Sequence, residues 1–228
     1  MNITMTTINI NDSNNIDSTT VTNFSSFIDG ITILQNKMDN ITNPLAVDLS
    51  IETSVAELGS NINSQTLTWT TSKDITSQEI NGESIDKNLR TFVLTDSITH
   101  DITYTLNCFA DGSNISVSKT LNFYSGIYWG VSSDDDSYDS SFINSLQNKV
   151  LSNDKNRIIT VNARESEYIY FCMPSSLENP IFSVNGFIGG FTKVANSMSF
   201  TNTNGYVAIY DIWKSEQSSL GSTTITIK

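Results

Sequence analysis

Apolar positions repeat at two different periods along this chain, and the change of period marks its organisation. Phe24, Phe27, Ile31, Leu34, Met38, Ile41 and Leu45 are spaced 3, 4, 3, 4, 3, 4, the a/d heptad stripe that makes helices supercoil around one another. Pro44 should end this helix at or before Asn43, because proline disfavours the helical conformation in the residue before it. Ile28, beside the stripe, widens the apolar face beyond a two-stranded seam and leans towards three strands. Gly30 weakens the helix. An amphipathic helix packed on its own β domain is the alternative use of the same face.

From Leu45 onward the period becomes two. Leu67 and Trp69 alternate with threonines, as do Ile102, Tyr104, Leu106 and Cys108 with Thr103, Thr105 and Asn107. Ile115, Val117, Leu121 and Phe123 continue the pattern among polar neighbours. Such alternation fits antiparallel sheets with one wet face. Asp111-Gly112 is a hairpin signal between the last two strands. About 80 residues with this punctuation fit an immunoglobulin-like sandwich. Trp69 is expected as its core tryptophan, near Cys108.

Residues 127–228 read as a second β-rich module. Ser140 or Ser141 is expected to cap a helix carrying Phe142, Leu146 and Val150. The strand EYIYFCM is apolar on both faces, so it should lie inside a sheet or against a subunit. Asn185-Gly186 and Asn204-Gly205 mark hairpin-type turns. The fold class expected is mainly β: an arm over 1–22, an oligomerising helix over 23–44, a sandwich over 45–126 and a β-rich module with one helix over 127–228. Residues 1–22, polar with scattered isoleucines, could add to a partner as an extended strand.

Composition narrows the function. The 228 residues carry 12 Lys and Arg against 24 Asp and Glu, a net charge of −12. Nucleic acid is therefore not an expected partner, since phosphate binding needs clustered cations. Nor is membrane insertion: no apolar run reaches the eighteen or so residues of a spanning helix, and an acidic surface repels anionic lipid. No secretory signal is visible in MNITMTTINI. Ser, Thr and Asn exceed a third of the chain, yet 8 Tyr, 11 Phe and 3 Trp provide for a core. Cys108 and Cys172 sit in apolar strands of different modules and read as buried free thiols.

No constellation argues for catalysis. His100 is the sole histidine, with Asp101 only its sequence neighbour. One His and two distant Cys lack zinc-ligand spacing. Asp134, Asp135, Asp136 and Asp139 do not follow a calcium-loop pattern and read as a solvated loop. The glycines of NGFIGGF lack the Lys and helix of a phosphate loop. Tyr124, Tyr128, Trp129, Tyr206, Tyr210 and Trp213 would form a sugar platform only if exposed, and their apolar strands favour core packing. No enzyme activity, cofactor or metal is expected.

The order IYWGVSS, EYIYFCMP, FSVNGFIGGF, NGYVAIYDIWKSE and LGSTTITI, preceded by LTWTTSKD, TYTLNCFADG and LNFYSGIYWG, resembles virion structural proteins of tailed bacteriophages over residues 45–228. The resemblance implies a structural component of the virion, assembled in the host cytoplasm. It would be a trimeric head- or tail-fibre appendage, docked to a capsid or tail protein through residues 1–22. A receptor- or glycan-binding adhesin is the alternative.

Overall fold

The computed structural model describes residues 18–110, 112–133 and 137–228, with side chains from Ser25 onward. The expected arm over 1–17 and the acidic run Asp134–Asp136 lie outside the described residues. Helix α1 spans Ser18–Thr42. It begins at Ser18 rather than at 23, so residues 18–22 of the expected arm are helical backbone. The reason is cooperativity: once a helix is nucleated, adding a Ser, Thr or Val costs only a few tenths of a kcal/mol. Its end at Thr42, two residues before Pro44, is where the proline places it.

Eight strands follow α1: β1 Val47–Ile51, β2 Val55–Glu57, β3 Gln65–Thr71, β4 Ser77–Ile80, β5 Glu83–Ile85, β6 Thr91–Leu94, β7 Ile102–Ala110 and β8 Ser113–Tyr124. They form one sheet in the order β1-β3-β6 and another in the order β2-β8-β7-β4-β5. β1, β3 and β6 correspond to the A, B and E strands of an immunoglobulin sandwich, and β8, β7 and β4 to its G, F and C strands, with β2 and β5 added at the two edges. β2 runs parallel to β8.

Leu49, Leu67, Trp69, Tyr104, Leu121 and Phe123 are buried, drawn from both sheets. Trp69 is thus a core residue, but it lies on β3, the B strand. The tryptophan of antibody domains lies on the C strand, and here that strand, β4, carries Gln78 instead. Gln78 is buried and donates through Nε2 to the carbonyls of Asp86 (2.6 Å) and Leu89 (3.0 Å), tying down the chain beyond β5.

The remaining elements are β9 Gly126–Ser132, α2 Ser140–Ser145, β10 Asn148–Leu151, β11 Arg157–Ala163, β12 Tyr168–Pro174, β13 Phe182–Val184, β14 Phe187–Ile188, β15 Phe191–Thr201, β16 Val207–Ser215 and β17 Gly221–Ile227. They build a second sandwich from sheets ordered β10-β9-β12-β16-β15 and β11-β17-β13-β14. As its two-faced pattern requires, β12 is central, paired with β9 and β16. Ile169, Phe171 and Met173 enter the core between the sheets, with Trp213, Phe182 and Ile225. Tyr170 and Cys172 point the other way, into a cluster with Phe142, Ile143 and Leu146 around α2.

The cap of α2 is Asp139, whose carboxylate accepts the Phe142 N–H at 2.8 Å, rather than Ser140 or Ser141. A carboxylate is the stronger acceptor at a helix start. The helix also ends before Val150, which lies on β10 opposite Ile127. The i, i+4 spacing of Val150 was shared by chance with a strand, and pairing to β9 decided its conformation.

Two compact units divide the chain: Met1–Asp48, Thr70–Leu89 and Leu106–Val117 in the first, Leu49–Trp69, Arg90–Thr105 and Ser118–Lys228 in the second. Within the second unit, Glu57 of β2 is buried and accepts from Tyr128 Oη (3.0 Å), Lys149 Nζ (3.0 Å) and Asn204 Nδ2 (2.8 Å). Asn202 donates to the Leu58 carbonyl at 2.7 Å. These bonds fasten β2 to the β9–β17 sandwich. Only Ser125 separates β8 from β9.

Candidate oligomerisation face

Helix α1 belongs to the first unit, and its apolar stripe is open to solvent. Phe27 is 59% exposed, Leu34 62%, Met38 65% and Ile41 81%, with Ile31 and Ile28 also exposed. Each would ordinarily be buried in a protein core. The reading in which the helix packs this face on its own β domain is therefore not what the fold adopts. The stripe is displayed over the length of a helix that rises about 1.5 Å per residue.

Phe24 has helical backbone, and its side chain lies outside the described residues. Leu45 departs from the expected set. It lies past the end of α1 and is buried, at 8% exposure. Pro44 has broken the heptad before it, so Leu45 is core rather than stripe. The face that remains runs from Phe27 through Ile31, Leu34 and Met38 to Ile41.

Polar contacts that sequence reading did not identify hold the base of the helix. Lys73 Nζ donates to Asn40 Oδ1 at 2.7 Å and pairs with Asp39 Oδ2 at 3.2 Å. Ser72 Oγ donates to the Pro44 carbonyl at 2.9 Å and accepts the Ala46 N–H at 2.8 Å. Neither contact has a sequence signature, since the partners lie about thirty residues apart. Together they tie the C-terminal end of α1 and the turn after it to Ser72 and Lys73.

The other residues singled out by chemistry have structural places. His100 is exposed, and Asp101 turns instead to the Phe123 N–H, accepting it at 2.6 Å. Cys108 and Cys172 are fully buried and form no disulfide, and burial pushes the Cys172 thiol well up from its ordinary value. Among the described residues, no three His, Cys, Asp or Glu side chains gather as metal ligands. Tyr128, Tyr210 and Trp213 are core side chains, whereas Tyr206 is 40% exposed. The glycines of NGFIGGF serve hairpin geometry: Asn185 and Gly186 take φ of 49° and 90° between β13 and β14, followed by positive φ at Gly189 and Gly190.

A second polar cluster lies inside the β9–β17 sandwich. Asp211 accepts from Ser175 Oγ (2.7 Å), Lys193 Nζ (2.8 Å) and the Ser197 N–H (2.8 Å). Burial raises its pKa, but the Lys193, Ser197 and Ser175 bonds outweigh burial and hold the carboxyl below its ordinary value. Lys193 Nζ also sits 4.8 Å from the Trp213 ring centroid. The group is fully satisfied and structural.

No protein-family model matches the chain, and no curated protein matches it. Among solved structures it is similar to the N-terminal eight Ig domains of Down syndrome cell adhesion molecule isoform 1.30.30. The identity there is 10%, the TM-score 0.27, and the match covers 80% of this chain and 26% of that one. It is also similar to the titin Ig tandem A164–A165, at 10% identity and a TM-score of 0.21, covering 80% of this chain and 95% of that one. The chain thus spans about a quarter of the adhesion-molecule fragment. At these scores neither likeness carries an argument; the Ig-like assignment rests on strand order.

Proposed function

We propose that this chain is a structural component of a bacteriophage virion, a homotrimeric head- or tail-fibre appendage. In this reading α1 forms the stem, and the segment ahead of it, residues 1–17, docks on a capsid or tail protein. The observation that carries the oligomer is the exposed heptad stripe from Phe27 to Ile41 on a 25-residue helix. A stripe of that spacing is buried by the same stripe on a parallel copy, because knobs then meet holes at every turn. Exposed Ile28, beside the seam, favours three helices over two. The virion assignment draws on the resemblance in the order of the sequence segments over residues 45–228.

The adhesin reading finds less support in the aromatics. A sugar platform needs rings on the surface, and Tyr128, Tyr210 and Trp213 are in the core.

The test is oligomeric state. Light scattering of the purified chain should give three copies, and Leu34→Asp should give one. A monomeric wild type overturns the stem. Loss of particle incorporation on deleting residues 1–17, which leaves α1 whole, supports docking there, and unchanged incorporation removes it.

A further inference from the structure

The largest exposed apolar side chains beyond α1 lie at the end of one hairpin. Phe187 is 80% exposed and Ile188 84%, adjacent on β14 and so on its opposite faces. Ile181, before β13, is 61% exposed. A residue pair covered by a flat protein partner needs one face only; here both faces are bare.

Three features of the same segment bear on what could surround it. From Ile181 to Thr192 there is no charged side chain, in a chain of net charge −12. The flanking charges are Lys193, next in sequence and paired with Asp211, Lys228, whose backbone pairs with Ile181, and Glu216, whose N–H donates to the Gly190 carbonyl. The hairpin also satisfies much of its own backbone. Val184 pairs with Phe187, the Gly189 N–H donates to Phe182, and Asn185 exchanges two bonds with Thr224 through its N–H and Oδ1. A charge-free tip with apolar side chains on both faces of β14 and its inner edge paired to β13 can enter the boundary of a bilayer but not its dry interior, where unsatisfied backbone and charge are costly.

We propose that the hairpin over 181–192 is a shallow membrane-contacting tip, with Phe187 and Ile188 entering the headgroup–acyl boundary of an uncharged bilayer. Two side chains reach only that boundary, so the outer edge of β14 stays at the wet headgroup level. This is compatible with an acidic chain in which, among the described residues, no helix is long and apolar enough to cross a membrane, because the tip carries none of the charge. One tip binds weakly, as a single short lipid anchor does, and several on one particle act together. The proposal holds whether or not α1 oligomerises.

The full chain is sedimented with phosphatidylcholine vesicles at millimolar lipid, beside the double variant Phe187→Ser/Ile188→Ser. Wild type should co-sediment, and the variant should lose binding by about tenfold or more. Both positions are solvent-exposed, so the variant should keep the wild-type circular dichroism and melting temperature. Phe187→Trp should add blue-shifted emission when vesicles are present. Wild type remaining in the supernatant overturns the proposal, as does unchanged binding by the double variant. A changed oligomeric state in the double variant also overturns it, because the pair would then be buried between copies.

Discussion

The buried carboxylate of Glu57 accepts the phenol of Tyr128 at 3.0 Å, across 71 residues of sequence. Burial first, and then the Glu57 charge, raise the Tyr128 pKa far above its ordinary value, so the phenol remains a donor at any physiological pH. The second carboxylate oxygen holds Lys149 and Asn204. A carboxylate this buried is tolerable only with its lone pairs occupied.

Glu57→Ala should therefore destabilise the protein by about 2–4 kcal/mol, since it strands a buried hydroxyl and removes a partner from an ammonium. Glu57→Gln should cost less, because the amide oxygen still accepts from Tyr128. Urea unfolding of the three proteins checks the order.

Gly59→Ala should be costly for a local reason. Gly59 has a φ of 88°, and an added Cβ would lie 2.7 Å from Tyr206 Cβ. Left-handed strain alone is about 1–2 kcal/mol, and the contact adds to it. Thermal denaturation should show a fall in melting temperature, partly relieved by Tyr206→Gly.

Acid should reach the Asp211 cluster in a defined window. The folded pKa lies below the unfolded one of about 3.9. Its stabilisation is accordingly present above the ordinary carboxylate range and is lost as pH falls through the folded value. Asp211→Asn should be less stable than wild type at neutral pH, with the gap narrowing below about pH 4. Melting temperature against pH for the two proteins measures this.

The thiols should be silent in the native state. Cys108 and Cys172 are both fully buried, and the Cys172 pKa is pushed up, so thiolate is scarce and reagents have no path. Ellman's reagent should find no fast-reacting thiol in the folded protein and two after denaturation. A fast native thiol would contradict the burial.

Much of this architecture was legible in the chain, because period reports which faces meet a common core. Leu67 and Trp69, Tyr104 to Cys108, and the two-faced run in β12 announced their strands, and Asn185-Gly186 announced its turn. Pro44 marked the end of α1, and the heptad spacing of Phe27 to Ile41 marked the apolar face that the helix leaves exposed. What only the tertiary structure decided were matters of long-range pairing. Val150 became strand because β9 was there to pair with it. Leu45 became core because the chain bends after α1. Glu57, an ordinary exposed-looking acid in sequence, became the fastening of β2 because Tyr128, Lys149 and Asn204 converge on it. Local sequence carries propensity and period, but a hydrogen bond between residues 57 and 204 exists only once the intervening strands have chosen their neighbours.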